Sequence, residues 1–167
     1  MKPPNSYKDV QKLISCLASL NRFTSRSSER NLPFFKTLRR MSKEKFNWDE
    51  ESDMAFQELN KYLGSGQLLL HREPCETLQI YLAISDVAVS SVLVGEAYLI
   101  QKPIYYVSHV LGGADERYLI IDKASFALII SARMLKDYFE SYPTKVITDQ
   151  PLKRVLTSPA LSGRLTT

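Results

Sequence analysis

Apolar positions recur at helical spacing in the first part of the chain and at alternating spacing further on. Val10, Leu13, Ile14, Leu17 and Leu20 form one stripe. Ser6, with Asp9 three residues later, resembles a capping box, so a helix is predicted to start beside it. Polar residues from Ser25 to Ser28 break the pattern, and Pro33 opens a predicted short segment, Phe34 to Arg40. Asp49 is a good N-cap, and Glu50 and Glu51 suit the positive end of a helix dipole. Ala55, Phe56, Leu59, Tyr62 and Leu63 give this third helix its stripe, and Gly64 and Gly66 end it.

After Gly66 the period changes. Leu78 to Leu82 reads as a strand, Ser85 to Ala88 as a turn, and Val89 to Val94 and Pro103 to Val107 as two more strands. One long helix is predicted over Glu116 to Phe139, with Tyr118, Ile121, Ser125, Leu128, Ala132, Leu135 and Phe139 down one side. Lys145 to Thr148 makes a fourth strand, and Pro151 can begin a last helix. The predicted class is therefore α/β (α+β): a helical segment over 1–66, then a β-β-β-α-β-α unit over 67–167 whose fourth strand returns parallel to the sheet.

Composition adds less than charge distribution. With 44% hydrophobic and 24% charged residues, the 167-residue chain is globular. It has no secretory signal, and no apolar run approaches the roughly 20 residues that span a bilayer. Cys16 and Cys75 are far apart, and His71 and His109 are isolated, so none forms a metal motif. The net charge of +4 is unevenly spread: residues 1–45 carry eleven Lys or Arg against three acids, a net of +8, and the remainder carries −4. The basic block either faces a polyanion such as nucleic acid or is a solvated helical surface, and charge alone does not choose.

The ordered motifs resemble a known family. Tyr7 to Phe23 (YKDVQKLISCLASLNRF), Leu32 to Lys36, Phe46-Asn47-Trp48 and Ala55-Phe56 resemble the thumb and connection segment that follows the polymerase palm in gypsy-type LTR retrotransposons. Tyr81 to Val94 (YLAISDVAVSSVLV), Pro103 to Ser108, Arg117-Tyr118, Thr148 to Leu152 (TDQPL) and Ser162 to Leu165 resemble the adjoining RNase H-like domain, in the wording of plant elements where that domain is degenerate. The resemblance implies a Pol polyprotein that copies RNA into DNA with Mg²⁺, and a cytoplasmic or nuclear rather than secreted setting. It also implies that 67–167 is an RNase H-like domain truncated at its C-terminus, leaving an exposed sheet edge. The polymerase site resembles an aromatic-x-Asp-Asp turn, and no Asp-Asp pair occurs in this sequence.

Cutting RNA by two-metal chemistry needs several carboxylates around ions about 4 Å apart. By the resemblance, the first-strand Asp position falls at Ala83 and the helix Glu position at Ala124, while the fourth-strand Asp is kept as Asp149. Asp86 lies an odd number of steps from Ala83, and Asp122 lies on the far side of a helix from Ala124, so neither substitutes. Asp149 is open to three readings: a vestigial ligand, an N-cap for the helix near Pro151, or part of a rebuilt site. The cap suits Asp before Gln-Pro best. No bound metal or cofactor is expected.

Three functions follow. The chain is a non-catalytic segment holding an RNA–DNA hybrid or other nucleic acid within the rest of the Pol polyprotein. Alternatively it is an active RNase H-type endonuclease, or a decayed remnant. Candidate phosphate contacts are Lys8 and Lys12 on one helix face, Arg22 and Arg26, and Arg39 and Arg40. Trp48, Phe34 and Phe35 are expected in the core rather than stacked on bases.

Overall fold

The structure, a computed structural model, describes residues 1–41, 46–65, 77–97 and 100–157. The expectations for Gly66, His71, Cys75 and Ser162 to Leu165 lie outside these residues.

Three helices come first: α1 (Tyr7–Leu20), α2 (Ser27–Met41) and α3 (Glu50–Gly64). Both predicted caps form. The Ser6 hydroxyl accepts from the Asp9 amide at 3.2 Å and donates to the Asp9 carboxylate at 2.7 Å, and Asp49 accepts from the Ser52 amide at 3.0 Å. The stripes meet in a core of Leu13, Leu17, Phe34, Phe56 and Leu59, with Trp48 packed against it. Trp48 stacks on Phe34 at 6.0 Å and meets Phe56 edge-on at 6.1 Å. Phe35 departs from expectation. It follows Phe34 on the helix, points about 100° away, and is 44% exposed.

Helix α2 also starts earlier than predicted, at Ser27, with Pro33 inside it. The proline forfeits one backbone hydrogen bond, and burial of Phe34 and Thr37 just beyond it offsets that loss. The Thr37 and Ser52 hydroxyls pair at 2.7 Å in the helical core. Ahead of α2, Arg26 takes a left-handed φ of 50°. Its neighbours hold that turn: Tyr62 Oη accepts from the Ser25 amide at 2.9 Å, and Arg30 donates to the Ser25 carbonyl at 3.1 Å.

Strands β1 (Leu78–Ile84), β2 (Ala88–Ala97), β3 (Ile100–Val110) and β4 (Thr144–Ile147) form one sheet in the order β3-β2-β1-β4. The first three are antiparallel, and β4 returns parallel to β1. Pro103 is tolerated because β3 is an edge strand, and a register shift beside it leaves Ile104 without a partner on β2. The other edge is β4, with Val146 and Ile147 exposed. Leu78, Ile80, Leu93, Ile104, Val107 and Leu135 make the main core of this unit.

The predicted long helix is divided. Asp115–Arg117 forms a single 3₁₀ turn, Tyr118 and Leu119 are extended, and α4 runs Ile120–Met134. The chain then turns at Leu135 (φ −110°, ψ 24°) into α5, Lys136–Ser141. Leu135 is fully buried, and packing it into the sheet core goes with that departure from helical geometry. The buried face matches the predicted stripe in part, with Ser125 and Leu135 buried as expected. Ala124, Ala127 and Ser131 lie inward, whereas Tyr118 and Ala132 are exposed. Small side chains let the helix approach the sheet closely, and Ser131 pairs there with Ser91 of β2 at 2.6 Å. A last short helix, α6, spans Leu152–Thr157.

Candidate nucleic-acid interface

The helical unit docks on the sheet through serines. The Ser28 amide donates to Ser108 Oγ at 3.2 Å, Ser108 pairs with Ser90 at 3.0 Å, and the Ser85 hydroxyl donates to the Glu29 carboxylate. Between the two lies an open groove of about 1090 Å³, bounded by Tyr7, Phe35, Lys36 and Arg39 on one side and Val87, Gly112, Gly113 and Glu116 on the other.

The six basic residues named from sequence fare differently. Lys8 and Lys12 lie exposed on α1. Among the described residues neither makes an ion pair. The Ser6 hydroxyl chiefly, and Lys12 more weakly, hold the Asp9 carboxyl below its usual pKa. Arg22 and Arg26 do not share a helix face, because a 3₁₀ turn over Asn21–Phe23 and the turn at Arg26 intervene. Arg22 lies over the rings of Phe23 and Tyr105, at 4.7 and 5.6 Å, and remains exposed. Arg26 approaches Glu29 at 3.9 Å. Arg39 lines the groove. Arg40 is engaged within the molecule, 2.6 Å from the Asp49 carboxylate. That contact, after the Ser52 hydrogen bonds, helps hold the Asp49 pKa down.

The positions that the resemblance assigns to the nuclease carboxylates are Ala83 near the end of β1, Ala124 in α4 and Asp149 just past β4. The parallel register runs from Leu78↔Thr144 to Tyr81↔Ile147, where β4 ends, and Asp149 lies in the bend two residues beyond it. Ala83 and Asp149 are exposed. Ala124 is fully buried on α4, whose preceding residue Lys123 donates to the Asp86 carbonyl in the β1–β2 turn at 3.2 Å. Asp86 itself is an exposed turn residue. The sequence-based reading of Asp149 as a helix cap does not hold. The helix starts at Leu152, so Asp149 lies two positions too early, and the Gln150 amide is taken by Thr148 Oγ1 at 3.1 Å. His109 is exposed on strand β3, edge-on to Phe126 at 5.6 Å.

Among the described residues no group of three or more His, Cys, Asp or Glu could hold a metal ion. Among the described residues the donor set does not fit a two-metal centre: at two of the places that the resemblance assigns to carboxylates stand Ala83 and Ala124, and Asp149 by itself cannot grip two divalent ions. No helix is long and apolar enough to cross a membrane among those described.

Comparisons with known proteins place the fold. The chain is 28% identical over 178 aligned positions to a retrovirus-related Pol polyprotein from the transposon opus of Drosophila melanogaster, covering 99% of this chain and 18% of that protein. It is 26% identical to a transposon Tf2-3 polyprotein of Schizosaccharomyces pombe, covering 89% and 11%. The chain thus spans less than a fifth of these curated relatives. Its fold is similar to the foamy viral protease-reverse transcriptase in complex with dsDNA, at a TM-score of 0.76 and 21% identity over 99% of this chain and 36% of that one. The same viral protein in complex with an RNA/DNA hybrid gives a TM-score of 0.75 at 19% identity, over 95% of this chain and 22% of that one. Residues 48–146, well over half of the sequence, match the RNase H-like domain found in reverse transcriptase, and the chain belongs to that family.

Proposed function

We propose that this chain is a non-catalytic part of a retrotransposon Pol polyprotein, and that it holds an RNA–DNA duplex without cutting it. One observation carries the reading. The exposed Ala83 and the enclosed Ala124 offer no carboxylate at the two places where the resemblance expects one, which leaves Asp149 of the three. Cleavage lacks its metal ligands, while Lys8, Lys12 and Arg22 lie exposed where they can meet phosphates. Residues 1–66 serve as the thumb and connection segment, and residues 67–167 as the RNase H-like unit. The remaining Pol polyprotein supplies polymerisation.

A labelled RNA–DNA hybrid tests this directly. Retention should weaken steeply between about 50 and 200 mM salt. No hydrolysis should follow in Mg²⁺ or Mn²⁺. Reversing charge with Lys8→Glu and Lys12→Glu should reduce the slope of log affinity against log salt by about 1.8, from roughly 0.9 per lost phosphate contact. An unchanged affinity removes the basic face from the reading. Absence of binding at low salt sinks the scaffold role, and metal-dependent cleavage revives the nuclease.

A further inference from the structure

Arg22 lies where the basic side of α1 runs out. Lys8, Lys12, Ser15 and Ser19 follow one another at helical spacing along one exposed side of that helix. The two serines fold back, donating to the Gln11 and Ser15 carbonyls at 3.0 and 3.2 Å. The 3₁₀ turn over Asn21–Phe23 then carries the chain to Arg22, about 20 Å along from Lys8 at the rise of a helix. The sequence has no acid between Asp9 and Glu29.

What sets Arg22 apart is how its charge is held. The guanidinium carbon lies 4.7 Å from the centre of the Phe23 ring and 5.6 Å from that of Tyr105. Among the described residues it makes no ion pair, whereas Arg26 approaches Glu29 and Arg40 contacts Asp49. Tyr105 is itself fixed, packed on the main core of the sheet and edge-on to Tyr138 at 6.3 Å. Stacking uses the plane of a guanidinium and leaves the N–H groups at its edge for a forked contact with phosphate. A long side chain held in advance also has less freedom to lose on binding. Phe23 belongs to the helical unit and Tyr105 to β3, so this charge stands at the seam between the two.

We propose that Arg22 is a fixed phosphate contact for a nucleic-acid strand lying along the Lys8 and Lys12 side of α1, and that Phe23 and Tyr105 are its positioning residues. The proposal rests on the nucleic-acid reading above and adds a ranking that charge does not give. By charge Arg22 equals Lys8 or Lys12. The two rings make it the stronger contact, and one that needs the guanidinium shape.

Retention of a labelled blunt RNA–DNA hybrid by the full chain, from about 50 to 200 mM salt, tests this. Arg22→Ala should lower the slope of log affinity against log salt by about 0.9, one phosphate contact. Arg22→Lys should keep the wild-type slope yet bind more weakly, since an ammonium lacks the flat fork. Phe23→Leu, at an exposed ring, should weaken binding about two- to five-fold, the worth of an exposed cation–π contact, and should change nothing further in the Arg22→Ala chain. Tyr105→Leu should lose a similar factor, and Tyr105→Phe, which restores the ring, should recover it. Urea midpoints for Arg22→Lys and Phe23→Leu should match wild type, which separates positioning from packing. A wild-type slope in Arg22→Ala, wild-type affinity in Arg22→Lys, or a Phe23→Leu loss undiminished without Arg22 overturns the proposal. Hybrid binding by the wild-type chain then leaves the scaffold reading standing. If the wild-type chain retains no hybrid at low salt, both fall.

Discussion

Putting a carboxylate back at Ala124 should damage the protein, and by a calculable amount. Ala124 is completely enclosed on the small-residue face of α4, next to buried Lys123 and Ser125. A glutamate there meets two costs. Added volume in a packed interface costs about 1–3 kcal/mol. Ionisation finds no counter-charge, because adjacent helix residues do not face one another and the Lys123 ammonium is already donating to the Asp86 carbonyl. The new carboxyl therefore stays protonated when folded, and at pH 7.5 this costs about 4 kcal/mol relative to an unfolded chain titrating near 4.3. The sign follows from the raised folded pKa. The ionisation penalty is absent below the unfolded value, grows as pH rises, and levels off above the folded value. The combined loss is comparable with the whole stability of many domains, about 5–15 kcal/mol. Urea unfolding followed by circular dichroism at about pH 4.5 and 7.5 measures it, with Ala124→Gln as the control that carries the packing cost without the pH dependence. If Ala124→Glu matches the wild-type chain within about 1 kcal/mol at pH 7.5 without divalent ions, the burial argument is wrong.

Further outcomes are expected. Ala83→Asp should give a chain whose melting temperature rises on adding Mn²⁺, since β4 runs parallel to β1 and carries the chain towards Asp149; no response to Mn²⁺ would contradict that arrangement. Phe34→Ala, deleting a fully buried ring stacked on Trp48, should cost about 3–5 kcal/mol and shift the fluorescence of the chain's one tryptophan. The depressed folded pKa of Asp49 means that its stabilisation is present above its unfolded value and lost as pH falls through the folded one. Asp49→Asn keeps a capping side chain but removes the charge, so its melting temperature should lie below wild type near neutral pH and converge with it in acid.

Much of the local structure was legible because it depends on neighbours in sequence. Ser6 and Asp9, or Asp49 and Ser52, meet whenever the backbone turns once, and the alternation in β1 and β2 follows from a period of two. Asp149 misled for an equally physical reason. Asp before Gln-Pro has the composition of a helix start, yet Pro151 occupies the place before Leu152 and the local hydrogen bond goes to Thr148. The basic block is legible in the sequence as a charge excess, but the engagement of its members is not, since nothing in sequence pairs Arg40 with Asp49 across α2 and α3.

By itself the sequence determined the order of helices and strands and the family, because each is written in residue type and short-range spacing. Tertiary structure alone decided where α4 breaks, which of its faces is buried, how the helical unit sits on the sheet, and that the Asn31 side-chain oxygen is enclosed without a hydrogen-bond partner. These depend on close packing between segments far apart in the chain. Leu135 leaves helical geometry as it enters the sheet core, and Ala124, Ala127 and Ser131 turn inward because the small residues permit the closest approach.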